Sequence, residues 1–148
     1  MNVLRPIAGR SGVLRGAVVA LLLLVPAASM AAAEFPYDQT LMLDAKRMGR
    51  AKRVPMLTVS ANGDAAIRLW CKDVSAHIEL SGNAIKIEAA PLPDALPDMM
   101  VDGQCAPQRM QADGDMLAVL TQMAQWRVSG DTLVLSGPKT LRFFLSSH

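Results

Sequence analysis

Between residues 41 and 145 the chain alternates apolar and polar positions in short runs, and each run predicts a strand. The runs are Leu41 to Leu43, Pro55 to Val59, Ala65 to Trp70, Ala76 to Leu80, Ala84 to Ile87, Thr132 to Leu135 and Leu141 to Leu145; a period of two places alternate side chains on opposite faces. The connectors Ala61-Asn62-Gly63-Asp64, Ser81-Gly82-Asn83, Ser129-Gly130-Asp131 and Ser136-Gly137-Pro138 are turn sequences, because Gly and Asn tolerate positive φ. Connections this short imply antiparallel hairpins. In Ala84 to Glu88, Ile85 and Ile87 fall on one face and Lys86 and Glu88 on the other, which predicts a sheet with one buried and one wet side.

One helix interrupts the strands. Met116, Leu117, Val119, Leu120, Met123 and Ala124 recur at helical spacing, with Asp113 or Asp115 just ahead of them as N-cap, where a carboxylate can accept orphan backbone N–H groups. Its Met/Leu face is expected to lie on the sheet and its end to fall near Ala124 or Gln125, since Trp126 and Val128 resume a period of two. From Ala89 to Ala106 the pattern changes. Pro91, Pro93 and Pro97, with Pro107 just beyond, remove backbone donors and fix φ, so a long ordered loop is expected there.

The mean hydropathy of +0.25 is high for a chain patterned in this way, and much of it comes from the first 33 residues. Arg5, Arg10 and Arg15 precede the apolar run Gly16 to Val25, and Pro26 with the small residues Ala27 to Ala33 follows it. Ten apolar residues are too few to span a bilayer, and the basic, apolar and small-residue order is that of a secretory signal. Cleavage is expected after Ala33, with Ala31 as the neighbouring alternative, leaving a single domain of residues 34–148. No Cys follows the apolar run, so the exported chain is expected to be soluble, free of a lipid anchor or further membrane span, and periplasmic. Three of the 15 basic residues and none of the 13 acidic residues lie in the leader, which leaves a formal charge of −1 on the remainder. A near-neutral domain argues against general affinity for nucleic acid.

Both cysteines, Cys71 and Cys105, lie in the exported part. An even count in an oxidising compartment predicts one disulfide.

The pieces Leu69-Trp70-Cys71-Lys72, Gly103-Gln104-Cys105-Ala106-Pro107, Met110 with Met116-Leu117 and Leu120, Gly130-Asp131-Thr132-Leu133-Val134-Leu135 and Leu141-Arg142-Phe143 occur in an order that resembles the META domain family, the group that includes HslJ-like heat-shock proteins of bacterial envelopes. The resemblance covers roughly Gln39 to Phe144. The chain departs from the family pattern at Trp70 (usually Gly), Lys72 (Asn), Val101 (Thr) and Gln104 (Ala). The resemblance implies an α+β domain, a curved antiparallel β-sheet or open barrel packed against one helix, and no established catalysis; no cofactor is expected. It also implies a role in envelope stress and secretion.

Candidate chemistry is sparse. His77 is the single histidine between the two cysteines and falls on the same solvent-facing side of its strand as Glu79; nucleophilic catalysis would need a base and an orienting group converging on a Ser or Cys. Asp94, Asp98 and Asp102 are spaced by four among prolines, so no helix aligns them and they read as loop charges. Met99, Met100, Met110, Met116 and Met123 could offer soft thioethers to Cu(I), but Met116 and Met123 fall on the helix core face, where Met packs. No metal-ligand spacing and no phosphate-cradling glycine loop occurs in the sequence.

Lys46, Arg47, Arg50, Lys52 and Arg53 place five cations in eight residues between two strands. They are the candidate contact for an acidic envelope protein or an anionic lipid surface. The reading that follows is a monomeric, non-enzymatic envelope protein, a stress-related binding or structural module. The runner-up is a small-ligand carrier using the concave face of the sheet.

Overall fold

The computed structural model describes Gly9 and residues 33–46, 48, 53–95 and 105–146. The chain divides into two units, Met1–Ala31 and Ala32–His148, and every element lies in the second. Its strands are β1 (Thr40–Leu43), β2 (Met56–Val59), β3 (Asp64–Arg68), β4 (Asp73–Ser81), β5 (Ala84–Ala89), β6 (Gln125–Ser129), β7 (Thr132–Ser136) and β8 (Thr140–Leu145), with the helix α1 (Pro107–Leu120) between β5 and β6.

The strands pair in chain order, each antiparallel to the next, and β8 returns to β1 through Leu41–Leu145, Met42–Phe144 and Leu43–Phe143. The expected curved antiparallel sheet with one helix is present, and it closes into a barrel where a curved sheet or open barrel was expected. Closure satisfies the edge strands that an open sheet would leave bare. The narrowest seam is β5 with β6, which share the single register pair Ala84–Gln125; α1 is inserted at this point.

Alternation along each strand decides what fills the barrel. Leu41, Leu57, Val59, Ile67, Leu133, Leu135 and Phe143 point inward and are buried, while the outward positions of β3, β4 and β5 carry Asp64, Arg68, His77, Glu79, Lys86 and Glu88, all exposed. Ile85 and Ile87 are buried opposite Lys86 and Glu88, as the sequence pattern predicts. Small barrels are filled by side chains in this manner.

In an up-and-down barrel the connections β1–β2, β3–β4, β5–β6 and β7–β8 share one end. The helix closes that end. Asp113 on α1 reaches the β3–β4 turn, Met116 lines a groove with the β1 terminus and the start of β8, and Leu120 joins the core. A Cβ at Gly137, in the β7–β8 turn, would lie 2.6 Å from the Gln122 carbonyl, so the chain leaving α1 packs directly on that turn. At the other end Phe35 stacks edge-on to Trp126 at 5.2 Å, and the Trp126 indole donates to the Gly82 carbonyl at 2.9 Å.

Three expected boundaries are corrected. The helix starts at Pro107, with Ala106 as a cap that makes no side-chain bond, rather than after Asp113 or Asp115. Proline is suited to the first helical position, where its missing N–H would have no partner anyway. The helix also ends at Leu120, so Met123 and Ala124 belong to the connection into β6. The third strand stops at Arg68 instead of Trp70, for a reason given below. Of the expected loop, residues 90–95 carry no regular structure, and 96–104 lie outside the described residues.

Gly63 makes the β2–β3 turn possible. It sits at φ +90, donates to Ser60 and accepts from Ile78, and a Cβ there would meet the Ile78 carbonyl at 2.7 Å. Gly63→Ala is expected to cost about 2–4 kcal/mol, combining left-handed strain with the displaced carbonyl. Urea unfolding measures it, and a loss below half a kcal/mol would contradict this account of the turn.

Candidate functional site

Asp113, Arg53, Lys72 and the two cysteines gather at the helix-closed end, around the turn Leu69 to Asp73. Asp113 is the one charged side chain buried among the described residues. It stands on α1 one and two turns ahead of Met116, Leu117 and Leu120, and so on the stripe that faces the core. Its Oδ1 accepts from the Trp70 amide at 2.9 Å and its Oδ2 from the Lys72 amide at 2.9 Å, with the Cys71 amide donating to Oδ2 at 3.0 Å. Three successive amides thus converge on one carboxylate. They bond to Asp113 and not to a neighbouring strand, which is why β3 ends before Trp70.

Arg53 holds the other side of the turn. Its Nε donates to the Leu69 carbonyl at 2.6 Å and a terminal nitrogen to the Lys72 carbonyl at 3.3 Å, and it pairs with Asp73. The Lys72 ammonium donates to the Pro93 carbonyl at 2.5 Å, tying the turn to the segment after β5. Cys71 and Cys105 are both buried and brought to bonding distance, with Cα atoms 5.9 Å apart, a separation suited to a disulfide. Trp70 lies over this bridge with Ala45, Met48, Ala112 and Met116, forming a small apolar cluster of its own; its buried indole nitrogen has no hydrogen-bond partner among the described residues.

Burial pushes the Asp113 carboxyl above the usual aspartate range, while the amides of Lys72, Cys71 and Trp70 and the charge of Arg53 partly offset that rise. A carboxylate surrounded by backbone donors orders a turn. Its lone pairs are occupied by those donors.

Residues 37–148 match the family model of the META domain. The chain belongs to the META domain family. A solved NMR structure of a protein shares 22% identity with it and superposes with a TM-score of 0.51, covering 72% of this chain and 88% of that one; at that identity the likeness supports the fold. No curated protein sequence matches the chain.

In this META domain the five cations expected to form a contact surface divide. Arg53 clasps the turn and is only partly exposed. Lys46 is exposed. Arg47, Arg50 and Lys52 lie outside the described residues.

His77 and Glu79 face solvent on β4, as their spacing predicts. The His77 Nδ1 lies 3.3 Å from an Asp64 oxygen, and its cross-strand neighbours are Asp64 and Glu88. Asp94 is exposed; Asp98 and Asp102 lie outside the described residues. Of the methionines, Met123 is buried in the core and Met116 packs against it, whereas Met110 is exposed; Met99 and Met100 lie outside the described residues.

Closure turns the concave face of the sheet into the inside of a barrel. The lumen is occupied by the inward side chains, and the grooves among the described residues lie outside it. One, of about 370 Å³, runs between the β1 terminus and β8 under Met116. The other, of about 400 Å³, crosses the outer face of β2, β3 and β4 at Thr58, Ala66 and Ser75.

Asp113 was missed as a functional residue by sequence reasoning because its position suggested an N-cap. The available signal was an acid on the apolar stripe of the helix, a place where unpaired charge is rarely tolerated.

Proposed function

We propose that this META domain is an exported, non-enzymatic module of the bacterial envelope, acting in the periplasm under stress by binding a protein partner at the helix-closed end of the barrel. The observation that carries the reading is the buried Cys71–Cys105 bridge at that end. A structural disulfide forms and persists in an oxidising compartment, and the basic, apolar and small-residue leader ahead of residue 34 supplies the route there. The groups that could do chemistry beside the bridge are engaged in holding the turn: Asp113 by three amides and Arg53 by two carbonyls. Beside that turn Ala45 and Met48 pack on Trp70 and Lys46 between them is exposed, and an exposed cation suits an acidic partner surface.

The test is covalent crosslinking in living cells, with mass spectrometry of the adducts. A dominant protein adduct is expected for the natural chain, lost when Lys46, Arg47, Arg50 and Lys52 are changed to Gln. Arg53 is left in place because its removal would disturb the turn itself. Absence of a reproducible adduct, or an adduct indifferent to the four substitutions, would sink the reading. Retention of the chain in the cytoplasm would sink its export.

A further inference from the structure

The barrel is two-sided in charge. On β3, β4 and β5 the outward positions include Asp64, Asp73, Glu79 and Glu88 against Arg68 and Lys86. On the five strands from β6 round through β8 and β1 to β2, no outward position carries a carboxylate, and the charges are Arg127 and Arg142. Both arginines are exposed and neither makes an ion pair among the described residues. Rim carboxylates border this face: the Asp44 amide donates to the Arg142 carbonyl at 2.8 Å and the Asp38 amide to the Val59 carbonyl at 2.7 Å, and Asp131 lies in the β6–β7 connection.

Register places apolar side chains between these cations. Arg127 is paired with Val134 and Val134 with Arg142. One row along, Thr132 is paired with Phe144, Phe144 with Met42 and Met42 with Met56. Directly opposed residues of neighbouring strands stand about 5 Å apart at Cβ, so Phe144, Met42 and Met56 form one continuous apolar row on the outside of the barrel. Phe144 is 41% exposed, the most open large hydrophobic residue of the described chain. An outward apolar row bordered by arginines that make no ion pair among the described residues, on a molecule whose opposite side is acidic, is oriented by a negatively charged apolar surface.

We infer that the outer face of β6, β7, β8, β1 and β2 docks on anionic phospholipid bilayers, with Phe144, Met42 and Met56 entering the headgroup region and Arg127 and Arg142 meeting lipid phosphates. The acidic β3–β5 side then faces away from the membrane. This goes beyond the partner-binding reading, since it concerns a different face and a lipid, and either can fail without the other.

Cosedimentation with vesicles of phosphatidylcholine, with and without phosphatidylglycerol, tests the inference on the protein as recovered from cells, its N-terminus read by mass spectrometry. Binding is expected to require phosphatidylglycerol and to weaken as salt is raised. Arg127→Gln and Arg142→Gln should each weaken it about fivefold, and Phe144→Ser should weaken it further. Lys86→Gln removes the same charge from the opposite side and should leave binding unchanged; all four positions are exposed, so the variants should melt as the natural chain does. Binding indifferent to phosphatidylglycerol, or equally reduced by Lys86→Gln, would overturn the inference. So would Phe144-dependent self-association without lipid binding, which would assign the face to a second copy. A lost crosslink in cells beside retained vesicle binding would fail the partner reading alone.

Discussion

Asp113→Ala is expected to lower stability by about 3–5 kcal/mol, because it removes the common acceptor of three amides in a buried turn. Each orphaned donor costs about 1–3 kcal/mol unless water reaches it, and breaking a buried charged network falls in the same range. For a domain of this size that is a fall of roughly 10–20 °C in melting temperature. Asp113→Asn keeps the shape but directs an amide N–H₂ at backbone donors, so it should recover little. Urea unfolding of the three proteins measures the effect, and an alanine variant within 1 kcal/mol of the natural chain would show that the turn is held by other means.

The pH dependence of that difference has a definite sign. Burial raises the native Asp113 carboxyl above its unfolded value, so the folded state holds the proton more tightly and titration of this group favours folding on the acid side. That contribution is fully present below the ordinary aspartate value and is lost as pH rises through the raised native one. The margin between the natural chain and Asp113→Asn should therefore be widest in acid and narrow toward neutrality. A margin that widens with rising pH would mean that the amides and Arg53 outweigh burial.

Removing the Cys71–Cys105 bridge by paired serine substitution is expected to cost roughly 3–4 kcal/mol. The bridge closes a loop of 34 positions, and the stabilisation comes mainly from the unfolded chain entropy that such a link removes. In the native state it joins the β3–β4 turn to the residue two places ahead of α1, so it acts on the structure that Asp113 also holds. Residues sharing one turn are not independent. The triple variant lacking both the bridge and the carboxylate should lose less than the sum of the two, measured as a double-mutant cycle by denaturant unfolding. Strict additivity would show that the bridge and Asp113 secure separate parts of the domain.

The sequence alone determined what depends on neighbours a few residues apart. A period of two is local, so the strands, their wet and buried faces and the solvent-facing His77 and Glu79 could all be read from it. Turn chemistry at Gly63, Gly82 and Gly130, each at positive φ in the structure, made the hairpins legible, and the two cysteines with an apolar leader predicted the bridge. Local reading failed where one residue type serves two purposes. Pro107 reads as a breaker after three earlier prolines, yet at the first helical position it is a start. Asp113 reads as a cap, yet it meets its amides 41 to 43 positions away, a distance at which spacing carries no information. Tertiary structure decided three further things: the closure of β8 on β1, the division of the basic cluster between Arg53 in the turn and Lys46 at the surface, and the separation of cationic and acidic faces. All three depend on strand register and on which chain ends meet, and those are properties of pairing between distant segments.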